Sequence, residues 1–270
     1  MSAPVTDRAW SRQRLICTLI GLVLLVAVAA AGLVLAIVHA MGAHDGATSH
    51  VDPADFPVSD HGVRGKAYRD AQAARPMLPS NRDDLLPAAP SLKKEKRLMV
   101  PQSTRRIGAL PSGYPHTPSG AVGQLASIEL AALNSLSLDQ AREVFEAWSV
   151  PGARFGTWEI ARAIRDFHEG AGTVEGDGEA SLSAVPVGAQ IKATDGPDWV
   201  IACIQLDVRV SVLKEVRFGY GHCERMQWVG HRWVIAEGTP PAPAPSTWPR
   251  SDRSIRAGWK KYVEIGAAHD

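Results

Sequence analysis

Three observations predict that this 270-residue chain is an α+β protein carried on a single N-terminal transmembrane helix. Residues 15–38 contain no charge. Between Thr117 and Gly172 apolar residues recur at helical spacing in three successive segments, and from Val185 to Ile235 they alternate with a period of two. The expected architecture is three helices packed on a curved four-strand antiparallel meander, with a C-terminal helix after it. The expected divisions are a cytoplasmic N-terminus over 1–14, the membrane helix over 15–38, a Pro-rich flexible tether over 39–116 and an external domain over 117–270.

The run from Leu15 to Val38 holds only Leu, Ile, Val, Ala, Gly, one Thr and one Cys. As a helix it measures roughly 36 Å, enough for a hydrocarbon core of roughly 30 Å. Arg8, Arg12 and Arg14 precede it against Asp7 alone, whereas His39, His44, Asp45, His50, Asp52 and Asp55 follow it. The positive-inside rule puts the N-terminus in the cytoplasm and the remainder outside. A cleaved secretory signal is the rival reading, since Ala27-Val28-Ala29 and Val38-His39-Ala40 resemble small-residue cleavage sites. The apolar run is longer than the roughly 7–15 residues of a signal core, which favours an uncleaved anchor. Gly32, Ala36 and Ala40 form a small-residue stripe on which two such helices could pack, leaving a homo-oligomer open; an Ala-rich helix explains the same residues.

Composition excludes several classes. With 45% hydrophobic and 21% charged residues the chain is not disordered throughout, and 3 Cys do not make a disulfide scaffold. A formal charge of +1 lacks the basic excess of a nucleic-acid binder. Residues 41–116 carry 9 of the 19 Pro, with 11 Lys/Arg against 8 Asp/Glu and no sustained apolar period, the composition of an extended tether. Its basic knot, Lys93, Lys94, Lys96, Arg97, Arg105 and Arg106, reads as a solvated face, or as a contact for anionic lipid or wall polymer.

At Thr117-Pro118 the character changes, with Thr placed to cap a helix and Pro suited to its first position. Leu125, Ile128, Ala132 and Leu136 fall on one helical face, Leu138, Ala141, Val144, Phe145 and Trp148 on a second, and Ile160, Ile164 and Phe167 on a third. Val185, Val187, Ala189, Ile191 and Ala193 then alternate, Asp195-Gly196-Pro197-Asp198 turns, and Val200, Ala202, Ile204, Leu206, Val208 and Val210 alternate again. A turn near residue 213 sets Val210 opposite Val216, Val208 opposite Phe218 and Leu206 opposite Tyr220. The same register sets Cys203 opposite Cys223 on the more polar face, close enough for a disulfide, with two buried free thiols as the alternative. Gly230-His231 pairs Trp228 with Trp233 and Met226 with Ile235. From about Ser251 a last helix is expected, with Ile255, Trp259, Tyr262 and Val263 on one face.

Catalytic motifs are scarce: no phosphate-cradling loop, dinucleotide glycine spacing, HExxH or CxxC occurs, and no cofactor or metal is expected. Ser91-Leu92-Lys93-Lys94 and Ser211-Val212-Leu213-Lys214 match S-x-x-K by chance, lying in the tether and at a hairpin turn. The register puts His222 on the apolar face beside Ile204, with Glu224 next to Ala202 as the nearby carboxylate. A satisfied core-edge histidine is the plain reading; an acid/base pair in a cone-shaped pocket is the sharper one.

The junction Gly113-Tyr114-Pro115-His116-Thr117-Pro118-Ser119-Gly120-Ala121-Val122, the meander with Cys203 and Cys223, and Trp228-Val229-Gly230-His231-Arg232-Trp233-Val234-Ile235 before a proline run resemble membrane proteins encoded with actinobacterial integrative and conjugative elements. The external domain resembles the nuclear-transport-factor-two-like fold shared by assembly factors of type IV secretion and conjugation channels. The resemblance implies a non-enzymatic envelope protein whose partners are the membrane and other envelope or secretion-channel proteins. No catalytic residue carries over. From Thr117 onward 15 Lys/Arg stand against 19 Asp/Glu, which disfavours direct contact with nucleic acid. Two alternatives remain: a small-molecule-binding or hydrolase-like cone-cavity domain, and an accessory subunit of an envelope lipid or cell-wall system.

Overall fold

The computed structural model describes residues 56–59, 62–171, 180–211 and 214–266. The expected cytoplasmic residues 1–14, the membrane helix over 15–38 and its stripe of Gly32, Ala36 and Ala40 lie outside them. Among the described residues no helix is long and apolar enough to cross a membrane.

The fold is α+β. Helices α1 (Lys66–Ala74) and α2 (Arg82–Leu85) lead to β1 (Arg97–Pro101) and the hairpin β2 (Arg105–Ile107) and β3 (Leu110–Ser112). Three helices follow, α3 (Pro118–Leu133), α4 (Leu138–Ala147) and α5 (Glu159–Ala171), then strands β4 (Ser181–Thr194), β5 (Trp199–Ser211), β6 (Glu215–Val229) and β7 (Arg232–Ile235). A short α6 (Asp252–Arg256) and β8 (Lys260–Ile265) complete the described chain.

The main sheet has six strands in the order β1-β8-β4-β5-β6-β7, and β1 runs parallel to β8. It is thus mixed and wider than the four-strand antiparallel meander expected. The β5–β6 ladder runs from Trp199 to Ser211, with Leu206 opposite Tyr220 and Cys203 opposite Cys223, as the alternation predicts. Trp228 faces Trp233 across the next turn. The phase expected for β4 is wrong at its start: Val185 is exposed and Ala184 buried, because register shifts fall at Pro186/Gly188 and Ile191/Ala193. Each shift inserts a residue and turns the side chains over, which also bends the sheet.

The expected tether is corrected from about Gly62 onward. Residues there have little apolar periodicity, yet Tyr68, Ala73, Leu85, Leu98 and Val100 are buried in the domain. Burial of a large aliphatic side chain stabilises by about 1.5–3 kcal/mol, enough to offset much of the ordering cost. Charge fixes where the segment docks. The Asp195 carboxylate, in the β4–β5 turn, accepts from the backbone N–H of Arg64 and Gly65 and from Arg69 Nε at the start of α1. Arg225 Nη1 donates to Asp70 at 2.7 Å, and Lys192 Nζ donates to the Ala73 carbonyl at 2.9 Å.

The expected C-terminal helix is corrected too. Ser251 caps a helix of 5 residues, accepting from Ser254 N, and Gly258 at φ 87 ends its turn. Tyr262 and Val263 then pair with Leu98 and Met99 of β1 as strand residues.

Both faces of the sheet are therefore covered. Helices α3 to α5 pack on the face carrying Val200, Ala202, Ile204, Leu206 and Val208. The other face, expected to be polar, buries Cys203, Cys223, Trp199, Ile201 and Trp259 beneath α1 and the proline-rich crossing. Gly219 makes that crossing possible, since a Cβ there would stand 1.9 Å from the Thr247 carbonyl oxygen. The entry to α3 is as the sequence predicts: Thr117 accepts from Gly120 N at 3.1 Å, with Pro at the helix start. Thr117→Ala should cost about 1 kcal/mol, read as a fall of about 2–4 °C in thermal midpoint.

Candidate functional site

Helix α3 is apolar nearly all round, and Glu129 is its only charged residue. Its carboxylate is 0% exposed, and Oε1 accepts from His222 Nδ1 at 2.6 Å. His222, on β6 opposite Ile204, is 1% exposed. Its second nitrogen, Nε2, lies 3.8 Å from Glu159 Oε2 at the first turn of α5 and 4.0 Å from Glu224 Oε2 two residues along β6. Those separations are beyond direct hydrogen bonding. Glu224 is itself held by Arg225 N, which donates to its Oε1 at 2.9 Å. Tyr220 stacks along His222 at 6.4 Å between ring centroids. Three carboxylates and one imidazole are thus drawn from three elements into one buried cluster.

The sequence brings His222 and Glu224 together correctly through the β5–β6 register. It does not bring in Glu129, the strongest partner, or Glu159, because both arrive from helices. One signal for Glu129 was present: it is the lone charge among residues 118–133, flanked by Ile128 and Leu130. The cluster also differs from the expected pocket, because its four residues are buried, from 0% exposed at Glu129 to 8% at Glu159. A groove of about 720 Å³ does exist, lined in part by Gln102, Ser103, Tyr114, Asn134, Gln140 and Glu264. No cluster residue lines it.

Burial raises the Glu129 carboxyl, and His222 draws it back down. For His222 burial alone acts downward, but Glu129 first and then Glu159 and Glu224 outweigh it and hold the imidazolium up to about 10. The pair therefore retains its proton through neutrality. Burial also lifts Glu224 to about 7, with His222 and the Arg225 N–H acting against the rise. Tyr220 is raised well above its ordinary value by burial and by Glu159 and Glu129. Glu129 Oε2, the Tyr220 hydroxyl and Trp158 Nε1 are buried without a hydrogen-bond partner among the described residues. Among those residues no group of three His, Cys, Asp or Glu is placed to hold a metal.

The signs of these shifts agree. The Glu224 contribution is present below its unfolded value of 4.5 and is lost as pH rises through about 7. That of His222 is complete below 6.5 and is lost toward about 10. The domain should melt several degrees higher at about pH 5.5 than at about pH 8.5; a flat or inverted profile would show that the cluster does not titrate in this way.

On the other face, Cys203 and Cys223 are joined by a disulfide between neighbouring strands, at the position the register predicts. Cys203 is 0% and Cys223 3% exposed. Compared with protein-family models, with curated proteins and with solved structures, the chain matches none.

Proposed function

We propose that this chain is a bitopic, membrane-anchored envelope protein whose folded domain lies outside the cytoplasm and serves as a non-enzymatic assembly component of a conjugative DNA-transfer apparatus. The observation that carries the reading is the disulfide between Cys203 and Cys223. Such bonds form and persist in oxidising compartments, which agrees with the side of the membrane chosen by Arg8, Arg12 and Arg14.

A catalytic role for the His222 cluster has little geometric support. Its acid and base groups are buried and are not lining residues of the groove. A cone-cavity binder or hydrolase working through His222 and Glu224 consequently has the weaker support. An accessory role in an envelope lipid or cell-wall system would use the same topology and is separated by the genetic test.

Deleting the gene from its element should depress conjugative transfer, and the intact gene supplied in trans should restore it. Undiminished transfer sinks the reading. A periplasmic-type reporter fused after Asp270 should be active and a cytoplasmic one silent, the reverse result overturning the topology.

A further inference from the structure

We propose that the Glu129–His222–Glu159–Glu224 cluster is a proton-operated latch: a proton kept on Glu224, beside His222 Nε2 and Glu159, holds the first turn of α5 against β6, and its loss lets that turn move away. This inference concerns the domain alone and does not depend on the assembly role.

The geometry sets up a charge imbalance. One imidazolium neutralises one carboxylate, and Glu129 takes that place at 2.6 Å from Nδ1. Glu159 and Glu224 are left facing the same Nε2 at 3.8 and 4.0 Å, in side chains 10% and 8% exposed. The groups facing this point from each packed element are Glu129 on α3, Glu159 and Arg162 on α5, and Tyr220 and Glu224 on β6. Arg162 is the only further cation among them, and it is exposed. Ionisation of Glu224 sets a second negative charge against the ring nitrogen that Glu159 already faces, and like charges so placed repel. Two buried groups have unspent hydrogen-bonding capacity for the rearranged state, the Tyr220 hydroxyl and Glu129 Oε2.

The structure also says which part yields. Glu224 is fixed at mid-strand by Arg225 N, and Glu129 lies well inside α3. Glu159 is the first residue of α5, reached through the single 3-10 turn Phe155–Thr157. Ionisation of Glu224, which burial places near neutrality, therefore pushes on the one carboxylate that sits at a helix end. Trp158, 2% exposed and next to Glu159, is positioned to report the movement.

The test is a pH titration of tryptophan fluorescence on the full chain in detergent, with Trp158→Phe used to assign the signal. The wild type should show a reversible Trp158 transition with a midpoint near pH 7, as the Glu224 value places it. Glu224→Gln should abolish it. Glu159→Gln, which removes the carboxylate on which the ionised Glu224 pushes, should abolish it as well. An unchanged transition in Glu224→Gln, or its absence from the wild type, overturns the latch. Should Glu224→Gln fail to fold, Glu159→Gln decides alone, and a transition that persists in it overturns the proposal. A transition that a chelator removes and Zn²⁺ restores also overturns it, in favour of a metal.

Discussion

Glu129→Ala is expected to cost about 3 kcal/mol of folding stability near neutral pH, a fall on the order of 10 °C in the thermal midpoint. The substitution leaves a buried imidazolium without its hydrogen-bonded counter-charge. Breaking a buried ion pair from one side commonly costs about 3–5 kcal/mol. The low end applies here because Glu159 and Glu224 stay within 4.0 Å of the other ring nitrogen. Glu129→Gln keeps the volume and an acceptor for Nδ1, so it should lose clearly less than the alanine variant. Replacing both partners, by Glu129→Met with His222→Leu, should recover part of the loss but not all of it. Two carboxylates remain in the cluster after that change, now with no imidazolium to balance them. A loss below about 1 kcal/mol in Glu129→Ala would mean that the pair is an ordinary neutral hydrogen bond, and the charge argument would fall with it.

The contrast between His222 and Glu129 shows what kind of information the sequence carries. Strands β5 and β6 have strict alternation on both sides of one turn, so their register follows from counting, and with it the neighbours His222 and Glu224 and the pair Cys203 and Cys223. Nothing comparable relates a helix to a sheet. Glu129 and Glu159 reach His222 because α3 and α5 pack where they do, and helical periodicity specifies only which face is buried. Strand β4 defeats counting because its two register shifts are invisible in composition, apart from Pro186.

The same limit explains the segment before Gly113. Its apolar contacts are few and unevenly spaced, and it is directed by polar groups such as Asp195 and Arg225, whose partners are more than 100 residues away in sequence. The last strand failed for a different reason. Trp259, Tyr262 and Val263 have the i, i+3, i+4 spacing of a helix face, and β-propensity favours aromatic and branched residues just as strongly. Gly258 in a left-handed conformation separates the two outcomes, and the parallel pairing with β1 requires a strand that the tether reading had removed.

Loss of the Cys203–Cys223 bond is expected to cost about 3 kcal/mol, the chain-entropy value for a closed loop of this size. The bond joins residues separated by 20 in sequence and lies in the apolar layer formed by Trp199, Ile201, Trp259 and Ala73. Met77 Sδ lies 3.6 Å from Cys223 Sγ, so α1 and the residues after it close over the sulphurs. A reductant therefore reaches the bond only when this covering opens, and the rate of reduction should follow opening of the domain more than reductant concentration. The paired substitution Cys203→Ala/Cys223→Ala should melt on the order of 10 °C lower than the wild type at the same pH. Alkylation in denaturant without reductant should label one of the 3 cysteines, Cys17, and reduction should make the other two reactive. Three reactive thiols without reductant would contradict the bond, and would remove the main support for placing this domain outside the cytoplasm.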